Sequence, residues 1–101
     1  MQEFSTDQLQ ILFDAAPQDL FLGFSPVAGD RDCLNTALQN LGDDERELLI
    51  AVMKHGSKLH ASKEIGGTDL PTIIGVGRRI DSALQNLRVK FDKASETYVP
   101  Q

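Results

Sequence analysis

Arg78 and Arg79, with Ser82 about one helical turn beyond, are the side chains best suited to recognition chemistry in this chain. A guanidinium is planar and always charged, and it can grip phosphate oxygens or the acceptor edge of a base with two bonds at once. Lys58, His60 and Lys63, in the segment before them, add cations and donors of the kind that hold a phosphate backbone. Other chemistries find less footing. His55 and His60 are five apart, which does not place them on one helical face, and no cysteine or acid cluster joins them, so no metal ligands are assigned. Cys33 stands beside Arg31 and Asp32 with no nearby histidine, and a packing role is expected for it. Asp43, Asp44 and Glu45 could suggest acid–base work, but no partnering base lies near and helix starts attract carboxylates. Gly66, Gly67, Gly75 and Gly77 follow no strand and match no phosphate-loop spacing. No catalytic residue and no cofactor is expected.

The elements that must position the arginines are helical. From Thr72 to Phe91 the apolar residues Ile73, Val76, Ile80, Leu84, Leu87 and Phe91 recur at intervals of three and four, a stripe on one face, with Arg78, Arg79, Ser82 and Gln85 on another. This helix is expected to run to Lys93 or just beyond, after a joint of Gly66-Gly67-Thr68-Asp69-Leu70-Pro71 with Thr68 or Asp69 as its cap. A short helix, Lys58 to Ile65, precedes it behind a Ser57 cap. Leu48, Leu49, Val52 and Met53 carry another from the acids at 43–45 to His55, with Gly56 as its stop. Leu34, Ala37, Leu38 and Leu41 mark one more, for which Gly42 offers a left-handed stop. Ser5-Thr6-Asp7-Gln8 fits a capping box opening a first helix through Leu9, Leu12 and Phe13 to Pro17. No alternating strand pattern stands out. The expected fold is therefore all-α, a compact bundle of about five helices in one domain over 1–101, with an acidic, phenylalanine-rich part to 42 and a second part over 43–93.

Composition agrees with a single small core: 101 residues, 41% hydrophobic and 25% charged. No apolar run approaches the roughly 20 residues that span a bilayer, and the opening residues lack a secretory signal, so no membrane contact is expected. One cysteine cannot close an internal disulfide, which points to the cytoplasm. The net charge of −5 is unevenly spread. Residues 1–45 hold nine acids against Arg31 alone, while residues 46–101 hold nine bases against six acids. Local charge governs phosphate contact, because fields are screened beyond about 8–10 Å. Leu20, Phe21, Leu22 and Phe24 are too apolar to leave in water, and Gly23, Pro26 and Gly29 interrupt a long helix there. They either pack onto the later helices or, through Leu20, Phe21 and Phe24, contact a second chain.

The run Asp44-Glu45-Arg46-Glu47-Leu48-Leu49, then Gly56-Ser57, then Glu64-Ile65-Gly66, then Arg78-Arg79-Ile80 through Ala83-Leu84-Gln85-Asn86-Leu87-Arg88, resembles the fourth region of bacterial sigma factors and related response-regulator output domains. These belong to the helix-turn-helix superfamily, and the resemblance covers roughly residues 43–90. It implies a pair in which the helix after the turn reads the major groove and the helix before it touches phosphate. At matching positions Arg78, Arg79 and Ser82, on a recognition helix starting at Thr72, would approach bases or phosphates, with Lys58, His60 and Lys63 nearer the backbone. This chain departs in a turn one residue longer and in Gly75 and Gly77, which suit close approach to DNA or to another helix. The function this implies is a small bacterial or phage transcription regulator, binding double-stranded DNA as a homodimer. The alternative is a protein-interaction module (anti-activator, adaptor or assembly subunit) that keeps the fold without binding DNA.

Overall fold

The three- and four-residue spacing of apolar side chains resolves into five helices in the computed structural model, which describes residues 4–17, 19–21 and 28–97. They are α1 (Thr6–Ala15), α2 (Ala28–Gln39), α3 (Asp43–His55), α4 (Lys58–Gly66) and α5 (Leu70–Thr97). No strand occurs among the described residues. Phe24 and the tail 98–101 lie outside them.

Local signals fix most of the helix ends. The Ser5 hydroxyl accepts from the Gln8 amide at 3.2 Å and the Gln8 side chain answers on the Ser5 amide at 2.8 Å, closing the capping box of α1. Gly56, at φ +85°, ends α3 in the left-handed region, and the Ser57 hydroxyl then caps α4 by accepting from the His60 amide at 3.1 Å. Two boundaries differ from expectation. Gly42 is extended, at φ −61°, and serves as N-cap of α3 rather than as a left-handed stop for α2. Arg46 explains the close join: it donates to the Gln39 carbonyl at 3.3 Å and to Asp43 at 2.6 Å, so α2 hands directly to α3. Second, α5 reaches Thr97, past Lys93; at its other end it begins at Leu70, directly after Asp69, one of the two expected caps, and two residues ahead of Thr72. The Asp69 carboxylate accepts from both the amide and the hydroxyl of Thr72, so the first turn forms ahead of Thr72 around Pro71.

Helix α5 is the spine, and α2, α3 and α4 all pack against it, with α1 on α3 and, more lightly, on α2. Its buried stripe is Val76, Ile80, Ala83, Leu84, Leu87 and Phe91, which meets Leu34, Ala37 and Leu38 of α2 and Leu49 and Val52 of α3 in one core cluster. Phe21 is buried in that same core and stacks on Phe13, ring centroids 4.8 Å apart, with Leu20 half-buried beside the cluster. Both therefore serve the chain's own core. Asn35 is the buried polar exception. Its side chain accepts from the Phe4 amide at 2.8 Å and donates to the carbonyls of Phe4 and Arg31, so it satisfies the backbone where the N-terminal segment crosses α2.

Candidate functional site

Helices α4 and α5 meet turn by turn. The Cβ position of Gly66 lies 3.0 Å from the Ile73 amide nitrogen, that of Gly77 lies 3.7 Å from Ser62 Oγ, and Lys58 Nζ reaches Asp81 at 3.1 Å. Each contact steps four residues along both helices. Gly66 thus permits a backbone approach that a methyl group would obstruct, and Ser62, whose hydroxyl bonds its own helix at the Lys58 carbonyl, fills the space Gly77 leaves. This pairing, with Ala61 fully buried beneath it, fixes the rotation of α5 and so decides where its polar face points.

That face turns Arg78, Arg79 and Ser82 outward, all three exposed. They look across a cleft at the first turns of α3. One hollow of about 350 Å³ is lined by Asp44, Glu45, Leu48, Arg78, Arg79 and Ser82. A second, of about 360 Å³, is lined by Asp44, Glu47, Leu48, Ala51, Ile65 and Arg79. Asp44, Leu48 and Arg79 belong to both, so the hollows form one groove with an apolar floor, a guanidinium wall on α5 and a carboxylate wall on α3. Among the described residues neither Arg78 nor Arg79 closes an ion pair, and the Glu45 carboxylate is taken by the Asn86 amide of α5.

The other residues singled out from the sequence are placed differently. Lys58 is bound to Asp81 across the α4–α5 contact, both groups being partly exposed. His60 Nε2 lies 3.8 Å from Glu64 and its ring stacks on His55, centroids 5.4 Å apart, across the Gly56–Ser57 joint. Spacing alone did not bring these imidazoles together; the reversal after α3 does. No third ligand converges on them, since the described residues hold no group of three His, Cys, Asp or Glu side chains able to hold a metal. Thr72 is engaged by Asp69, and Lys63 stands exposed on α4. Cys33 is buried in the core.

Two further features had no reading as a site in the sequence. Asp44 and Glu45 lie in the first turn of α3, and together with Glu47 they line the cleft that holds the arginines. Leu59, Leu70 and Ile74, respectively 61%, 65% and 48% exposed, leave apolar surface on the outer side of the α4–α5 pair. No helix among the described residues is long and apolar enough to cross a membrane. No family model matches the chain, and no curated protein or solved structure matches it either.

Proposed function

We propose that the chain is a protein-interaction module, of the adaptor or assembly-subunit kind, whose contact face is the α3–α5 cleft. The observation that carries this reading is the acidic company of the expected DNA-contacting groups: Arg78 and Arg79 share their cleft with Asp44, Glu45 and Glu47, Lys58 holds Asp81, and His60 lies beside Glu64. Lys63 alone stands apart from any acid among the described residues. A duplex presents one negative charge about every 1.7 Å, and its binding draws on several cations that converge without opposition. Here three carboxylates stand opposite the two arginines and would repel phosphate. A mixed-charge groove over Leu48 and Ala51, flanked by exposed Ile65, suits a protein surface, where an apolar centre drives contact and charges select the partner.

A second reading, the small DNA-binding regulator with α5 as recognition helix, is favoured by one specific observation. Arg78 and Arg79 are exposed and outside any ion pair among the described residues.

Site-specific photo-crosslinking tests the choice. With a photoreactive residue replacing Ser82 in cells that make the protein, the expected product is a discrete protein–protein adduct, absent when the probe replaces the exposed Gln10 on α1. A nuclease-sensitive adduct at Ser82 would overturn the proposal and favour the regulator.

A further inference from the structure

We infer that the occupant of the α3–α5 cleft is a second copy of this chain, seated about a two-fold axis so that the arginines of each copy meet the carboxylates of the other. The inference rests on the protein-interaction reading and names its partner. In a two-fold interface the same patch lies on both sides, so it must be complementary to itself. The cleft meets that requirement in charge. Its α5 wall carries Arg78 and Arg79, its α3 wall carries Asp44, Glu45 and Glu47, and Leu48 lies between them. A half-turn exchanges the walls and lays guanidinium against carboxylate twice over, which a patch of single sign could not do. Leu48, common to both hollows and lying between the two walls, sits nearest the axis in this arrangement, where it meets its own copy, and Arg79 and Asp44 lie to either side. The space above Gly75 is open, with no atom within 4 Å of its Cβ position, and gives the copy's chain room to approach one turn before Arg79.

Sedimentation of the purified chain from micromolar to millimolar concentration tests this, with two charge-reversed variants. One carries Arg78→Glu with Arg79→Glu, and the other Asp44→Lys with Glu47→Lys; Glu45 is spared because it bonds Asn86. The native chain is expected to sediment as a dimer. Each variant alone is expected to associate about a hundredfold more weakly or worse, because like charges then meet across the axis. An equimolar mixture is expected to regain the dimer mass, since every reversed group finds an opposite. Circular dichroism melting of each variant separates loss of contact from loss of fold. A native chain that stays monomeric, variants that dimerise as the native chain does, or folded variants whose mixture stays monomeric would each overturn the inference. A monomeric chain that still gives a protein adduct at Ser82 would overturn the second copy alone and leave the interaction module standing.

Discussion

Gly66 and Gly75 occupy the same helix pair under opposite constraints. At Gly66 an added methyl would stand 3.0–3.1 Å from the backbone and side chain of Ile73, so the two helices would have to part. At Gly75 it would meet nothing within 4 Å. Gly66→Ala is therefore expected to destabilise the chain, while Gly75→Ala stabilises it by about 1 kcal/mol through helix propensity. Urea denaturation of the two variants gives the comparison, and midpoints shifted in the same direction would refute this placement of α4 against α5. Asn35 carries a different kind of constraint. Asn35→Ala leaves the buried amide of Phe4 without its acceptor, at an expected cost of about 2 kcal/mol. An unchanged midpoint would mean that water reaches Phe4 freely. The sequence suggested close approach at Gly75 and Gly77, but within the chain it is Gly66 that sits tight, and neither Gly66's neighbours nor Asn35's bonds were marked. A glycine's neighbours and an asparagine's bonds to a segment 31 positions away are tertiary facts with no periodicity to announce them.

At the scale of elements, what could be read ahead was whatever is written locally. The stripes of α3 and α5 place Leu49, Val52, Ile80, Leu84 and Leu87 fully inside, and caps at Ser5 and Ser57 close as their residue types imply. Ser57→Ala should accordingly cost about 1 kcal/mol, seen as a lowered urea midpoint, with the end of α4 losing amide protection first. Gly42 was misleading because a glycine ending one helix can equally begin the next, and the choice fell to Arg46, which ties Gln39 to Asp43. The arginine face of α5 was legible, since it lies opposite an unbroken apolar stripe. Its acidic counterpart was not. The carboxylates of α3 have a sufficient local reason to be where they are, at the positive end of a helix dipole. Only the packing of α3 on α5 brings them to the arginines.

At the scale of the whole molecule, the balance between the two ends of the charge distribution decides what the α5 face can hold. The chain carries −5 overall, and over 43–90 Arg46, Lys58 and Arg88 are each paired with an acid of the chain itself. Three exposed cations of the α4–α5 face, Arg78, Arg79 and Lys63, are outside ion pairs among the described residues. Engaging all three on a duplex would give a slope of about −2.7 in the logarithm of affinity against the logarithm of salt. The most direct measurement is that slope, taken by fluorescence anisotropy on a labelled duplex library of genomic fragments from low to physiological ionic strength. Expected is weak retention with a slope shallower than about −1, unchanged by Arg78→Ala with Arg79→Ala. A slope of about −3 or steeper, flattened by about 2 in that double variant, would contradict the protein-contact reading and hand the arginines to nucleic acid.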